Sequence, residues 1–104
     1  MKKMEISAET VDLISNFVHE RDWEQFHNPK DLAISINLEA AELLELFQWS
    51  GADTSVRDKL AEVKEELADT MIYCIMMALN LGLDIDVRFA PSSGHWCVFQ
   101  RPLC

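Results

Sequence analysis

Two acidic segments with helical spacing stand in the middle of the chain, Glu39-Ala-Ala-Glu42-Leu-Leu-Glu45 and, after a polar break, Glu62-Val-Lys-Glu65-Glu66-Leu-Ala-Asp69. Residues three or four apart share one face of an α-helix. At about 100° per residue, Glu62, Glu66, Asp69 and Tyr73 fall on one stripe that continues to Met76 and Asn80; Leu60, Val63, Leu67, Met71, Cys74 and Ala78 form the opposite stripe. An isolated Glu-x-x-Glu is ordinarily a solvated helix face. Glu39 departs from that pattern, because it falls inside the apolar stripe of Leu32, Ile36, Leu43 and Leu46. A carboxylate at a core-facing position must be neutralised, hydrogen-bonded or bound to a cation. Two antiparallel helices joined by a loop would turn the acidic segments toward each other, and converging carboxylates repel unless a cation lies among them. All-oxygen ligation suits Mg²⁺ or Mn²⁺. A ferritin-like di-iron site would want Glu-x-x-His on its helices, and His19, His27 and His95 all lie elsewhere, so Mg²⁺ is the expected ion.

The aromatic residues read two ways. Trp23, Phe26, Phe47, Trp49 and Tyr73 suit a helical core, the usual fate of aromatics at this spacing. Trp23 and Trp49 each sit beside polar residues near a predicted helix end, where a flat base could stack.

Three helices are needed to position these groups. Ser7 can cap a first helix over residues 8–25, in which Val11, Ile14, Phe17 and Val18 recur at helical spacing. Asn28-Pro29 breaks it, and Pro29 suits the first turn of a second helix over residues 30–49. Residues 50–54 read as a loop, with Gly51 a helix stop and Asp53 or Thr54 a cap for the next helix. That third helix spans residues 55–81 and ends near Gly82. Its second half is almost wholly apolar, which predicts burial against other helices, including those of another chain. Beyond Asp84 the periodicity stops, and Val98-Phe99 fits either a short strand or packed coil. The division expected is a helical domain over residues 1–86 and a C-terminal tail over 87–104.

Composition agrees with one small helical domain. The chain has 104 residues, 49% of them hydrophobic, with only 3 glycines and 3 prolines. Its 18 acidic against 9 basic residues give a net charge of −9, which argues against nucleic-acid polymers and anionic membrane surfaces as partners. A small anion stays compatible if a divalent metal bridges the like charges. Cys74, Cys97 and Cys104 lack metal-knuckle spacing, and Cys74 reads as a reduced thiol buried in an apolar helix. The basic start has no apolar run behind it, and the apolar stretch 71–83 is too short for a membrane span, so a cytoplasmic location is expected.

Three segments, Glu20-Arg-Asp-Trp-Glu-Gln-Phe-His27, Glu39-Ala-Ala-Glu42-Leu-Leu-Glu-Leu-Phe-Gln-Trp49 and Glu65-Glu-Leu-Ala-Asp69, resemble the MazG-like all-α nucleoside triphosphate pyrophosphohydrolases, most closely the dCTP pyrophosphatase branch. The resemblance covers about residues 7–86. It implies an all-α helical bundle completed as a homodimer or homotetramer, and cleavage of the α–β phosphoanhydride of a nucleoside triphosphate to a monophosphate and pyrophosphate. By motif, Glu39, Glu42, Glu66 and Asp69 would hold Mg²⁺, while Trp23, Trp49 and Tyr73 would line the base and sugar pocket, with His27 and Lys30 near the substrate. Glu45 or Glu65 would position or deprotonate the attacking water, and the sequence does not choose between them. This chain departs from the branch at Ile14, where a histidine is common, which leaves the preferred base open. It also departs in its tail, where the family has a helix rich in lysine, asparagine and arginine; residues 87–104 offer only Arg88 and Arg101. The alternative is therefore a helical nucleotide-binding or assembly protein with weak or lost turnover.

Overall fold

In the computed structural model, which describes residues 6–84, 87–90 and 95–98, three helices precede a hairpin. They are α1 (Ala8–Glu20), α2 (Pro29–Glu45) and α3 (Leu60–Asn80). The hairpin pairs β1 (Val87–Ala90) with β2 (His95–Val98) antiparallel, in the register Val87↔Val98 to Ala90↔His95. The helical body is the all-α arrangement expected. Of the two readings open for the tail, Val98 belongs to a strand, while Phe99 and Arg101 lie outside the described residues.

Local chemistry explains most helix ends. Ser7 Oγ accepts from the Thr10 amide at 3.2 Å and caps α1. Asn28 Oδ1 accepts from the Asp31 amide at 2.9 Å, with Pro29 at the first position of α2. Gly82, at φ +67°, closes α3: Gly82 N–H donates to Leu79 O at 3.2 Å and Leu83 N–H reaches back to Ala78 O at 2.8 Å, leaving few last-turn carbonyls unpaired.

Each predicted helix was too long at one end. The first stops at Glu20 because Asp22 takes a left-handed conformation (φ +53°), after which Trp23–Phe26 form a 3₁₀ turn. The second gives way after Glu45 to tightened turns, in which Phe47 N–H donates to Leu44 O at 2.9 Å and Gln48 N–H to Glu45 O at 3.2 Å. The third starts at Leu60 rather than Ser55, since Val56 is left-handed at φ +40° and a 3₁₀ turn, Arg57–Lys59, intervenes. Asp53 does not cap α3. Its Oδ1 accepts from the Ser55 and Val56 amides, both at 3.1 Å, and so holds the loop in which Val56 buries its side chain.

The core is small: Ile14, Val18, Leu32, Ile75 and Met76 are buried together, with Ile72, Tyr73 and Met77 packed against them. Both α1 and α2 pack on α3, α2 the more extensively. His27, just before α2, lies beside Asn80 at the end of α3, whereas Glu39 and Glu42 lie beside Glu66 near its start, so the two helices run antiparallel. Only part of the apolar half of α3 is covered. Ile75, Met76 and Ala78 are buried, but Met71, Cys74 and Leu79 are exposed, as are Leu60 and Leu67. Cys74 is thus not the buried thiol its sequence setting implies, although nearby apolar mass still raises its pKa. No helix of the described residues is long and apolar enough to cross a membrane.

Candidate active site

The antiparallel pairing of α2 and α3 brings three acidic side chains together. Carboxylate oxygens of Glu39, Glu42 and Glu66 all lie within 4.8 Å of one another. Glu39 and Glu66 are half-buried, Glu42 exposed. Glu39 Oε2 and Glu66 Oε2 are shielded from solvent with no hydrogen-bond partner, an expensive state for a carboxylate oxygen. No lysine or arginine forms an ion pair with this group among the described residues.

The electrostatics follow from that crowding. Burial pushes the Glu39 carboxyl up first, and the charges of Glu42 and Asp69 and a carboxyl contact with Glu42 add to it. Glu66 is raised to about 6, chiefly by its hydrogen-bonding contact with Glu42, then by burial and by the charges of Glu42, Asp69 and Glu39. Below about pH 6, in the absence of a cation, a proton on Glu66 relieves the repulsion. Asp69, one turn beyond Glu66, contributes its field without joining the close trio. Glu45, the last residue of α2, and Glu65, turned away from Glu66 around α3, are both exposed and outside it.

A second feature lies at the other end of the helix pair. A cleft of about 150 Å³ is lined by Ser15, Val18, Glu24, His27, Met76, Leu79 and Asn80. Asn80 Nδ2 donates to His27 O at 3.2 Å, tying α3 to the segment before α2. Trp23 stacks edge-to-face on Phe17 (5.3 Å between centroids) and on His27 (6.5 Å), and the Arg21 guanidinium lies 3.5 Å above the Phe17 ring. Of the predicted substrate contacts, His27 lines the cleft, Trp23 flanks it and Tyr73 packs on the core between cleft and carboxylates. Lys30, in the first turn of α2, is exposed. Trp49 stands apart, 88% exposed and past the opposite end of α2 from Trp23. Ser15, Glu24 and Leu79 carry no sequence signal that marks them for such a cleft. Met76 and Asn80 are legible as the continuation of the Glu66 stripe.

An all-helical body with two antiparallel helices presenting acidic pairs to each other defines a class, and the chain belongs to the MazG-like family, whose model matches residues 34–88, just over half of it. Among individual proteins it is similar to the dCTP pyrophosphatase 1 of Rattus norvegicus and that of Homo sapiens, each 38% identical over 78 residues, covering 70% of this chain and 46% of the relative. The chain thus spans about half the length of the curated relatives it matches. A pyrophosphatase from Archaeoglobus fulgidus shares the fold with a TM-score of 0.68 and 34% identity, over 80% of this chain and 83% of that one.

Proposed function

We propose that this chain is a nucleoside triphosphate pyrophosphohydrolase, cleaving the α–β anhydride to release a nucleoside monophosphate and pyrophosphate, with dCTP-like nucleotides among its substrates. The observation that carries this reading is the trio Glu39, Glu42 and Glu66 with its two shielded, unpartnered oxygens. Such an all-oxygen set fits a hard divalent cation, and Glu39, Glu42, Glu66 and Asp69 would hold Mg²⁺ or Mn²⁺. When bound, the ion supplies charge neutralisation and polarisation of phosphate oxygens.

The chain's own residues supply the rest. Asp69 and Met76 lie seven residues apart on one face of α3, about 10 Å along its axis. That span matches a nucleotide whose phosphates meet the carboxylates and whose base enters the cleft beside His27 and Trp23. Tyr73, between them, stands at the sugar. Lys30 precedes Glu39 by nine residues, about 13 Å along α2, and so serves the nucleotide's outer side rather than the carboxylates. Trp49 lies too far from the cleft of its own chain to share a base with Trp23. In a homodimer it would serve the partner's site. Glu45 and Glu65 remain the candidates for orienting water, although both lie outside the close trio.

The test is direct: incubation with Mg²⁺ and a panel of nucleotides, scored for monophosphate and pyrophosphate. Activity lost with Glu39→Gln supports the reading, and release of inorganic phosphate instead of pyrophosphate would refute it. A second reading, nucleotide binding with little turnover, is favoured by the strands at residues 87–90 and 95–98, which stand where the family resemblance implies a basic helix. Binding without product in the same assay would select it.

A further inference from the structure

A nucleoside triphosphate carries several negative charges into a site that already holds Glu39, Glu42 and Glu66, with the field of Asp69 added. A divalent cation offsets part of that repulsion, and a cationic side chain aimed at the outer phosphates would offset more. Within residues 6–84 the cations are Arg21, Lys30, Arg57, Lys59 and Lys64. Arg21 is engaged elsewhere, its guanidinium 3.5 Å above the Phe17 ring and donating to Phe17 O at 3.2 Å. Lys30 stands at the cleft end of α2, about two and a half turns before Glu39. Lys64 is two residues from both Glu62 and Glu66, and so about 160° around α3 from each. Arg57 precedes Lys59 by two residues of a 3₁₀ turn, which turns it to another side. Lys59 falls in the row Lys59, Glu62, Glu66 and Asp69, whose spacings of three and four put them on one face.

The position of Lys59 is set from both sides. As the N-cap of α3 it lies half inside the helix. On the loop side, Lys59 N–H donates to Val56 O at 2.8 Å, and Val56 is buried in its left-handed conformation, with its amide held by Asp53 Oδ1 at 3.1 Å. The strained, buried Val56 thus seats the turn that delivers Lys59 to the row. The lysine side chain is exposed and makes no ion pair among the described residues. Glu62 follows it by one turn, the less favourable order for a helical ion pair. Lys59 precedes Glu66 by seven residues, about 10 Å along α3. Side chains of a helix lean toward its N-terminus, which carries the Glu66 carboxylate in the direction of Lys59.

Resting on the pyrophosphohydrolase reading, and deepening it, we propose that Lys59 binds the pyrophosphate half of the substrate. With the base beside Asn80 and the α-phosphate at the carboxylates, the β- and γ-phosphates extend toward the start of α3, where the flexible four-carbon stem of lysine meets them. In the reaction the water oxygen bonds to the α-phosphorus and a proton is lost to solvent. The bond from that phosphorus to the α–β bridging oxygen breaks, and this oxygen leaves with the electron pair as part of pyrophosphate. The Lys59 ammonium neutralises charge on that departing group.

The two products report on opposite ends of the site. Dissociation constants of inorganic pyrophosphate and of dCMP, each with Mg²⁺, are measured by calorimetry on the full chain. Lys59→Met is expected to weaken pyrophosphate binding about tenfold, the scale of one charge-assisted contact at an exposed site, and to leave dCMP binding unchanged. Lys59→Arg should restore most of the loss, and Lys64→Met, on the far side of α3, should alter neither constant. Pyrophosphate binding that is absent in the wild type, that survives Lys59→Met, or that falls together with dCMP binding would overturn the proposal. Nucleotide cleavage is scored separately. Lys59-dependent pyrophosphate binding in a protein that cleaves no nucleotide would support the proposal and sink the hydrolase reading, and cleavage with Lys59-independent binding would do the reverse.

Discussion

The Glu66 carboxyl group, pushed up to about 6 by its contact with Glu42, by burial and by the charges around it, ties the stability of the site to pH. Its ordinary value is 4.5, so the folded protein holds this proton more tightly than the unfolded chain. Without a cation, the resulting stabilisation is complete below pH 4.5 and is lost as pH rises through about 6. Melting temperatures measured with a chelator should therefore fall between these values, and Glu66→Gln should flatten the profile. Added Mg²⁺ should act in the opposite sense, because it needs the deprotonated oxygens. At about a hundredfold excess over its dissociation constant it would stabilise by about 2.7 kcal/mol, on the order of 10 °C for a chain of this size. That gain should appear at pH 8, shrink at pH 5, and largely vanish in Glu39→Gln. Identical melts with Mg²⁺ and chelator at pH 8 would remove the cation from the site.

At the scale of elements, the site depends on how α2 and α3 are started, stopped and pressed together. Leu32, only 2% exposed, anchors the first turns of α2 in the core. Leu32→Ala should cost about 2–5 kcal/mol in a denaturant titration, since so small a core has little to collapse into the void. Gly82 tests a different term. A methyl group there would meet nothing within 4 Å, so the cost of Gly82→Ala is conformational alone, about 1 kcal/mol for an L-residue at φ +67°. Val56 carries the same backbone penalty in the native chain, at φ +40°, and its nearly complete burial offsets it. The loop between the acidic helices is thus held by a packed side chain and the Asp53 turn, together with the left-handed Gly51 at φ +58°.

For the whole molecule, the exposed apolar residues argue that one copy is incomplete. Leu60, Leu67 and Met71 share a side of α3 that neither α1 nor α2 covers, and Leu13, Leu38 and Leu44 are exposed on the other helices. Sedimentation at micromolar concentration is expected to show at least a dimer, and Leu67→Glu with Met71→Glu should yield a monomer. A well-folded wild-type monomer would mean that these surfaces tolerate water. The separation of Trp23 from Trp49 adds a sharper test. If each site draws Trp23 from one copy and Trp49 from the other, Trp23→Ala and Trp49→Ala proteins are each weak alone. Unfolded and refolded together, they should recover about a quarter of the wild-type sites, as expected for random pairing in a two-fold dimer. No recovery on mixing would place both tryptophans in one chain's function.

Much of this was written in local sequence. The helix starts at Ser7 and Asn28, the stop at Gly82 and the acidic faces follow from caps, proline, glycine and a 3.6-residue period, all of which act within a few residues. Glu39 announced itself by interrupting an apolar stripe, and the structure finds it half-buried with an unpartnered oxygen. The break at Val56 was not legible, because a β-branched residue argues against a left-handed backbone, and Asp22, a type that tolerates it, gave only a weak signal inside a helical pattern. Nor could periodicity say which acidic residues meet. Glu42 and Glu66 become neighbours, and Glu45 and Glu65 do not, only through the register in which α2 lies against α3. The cleft needed tertiary structure outright. Glu24 and Asn80 are far apart in the chain, and no local rule brings a 3₁₀ turn beside the end of α3; packing of Val18 and Met76 in one core does so.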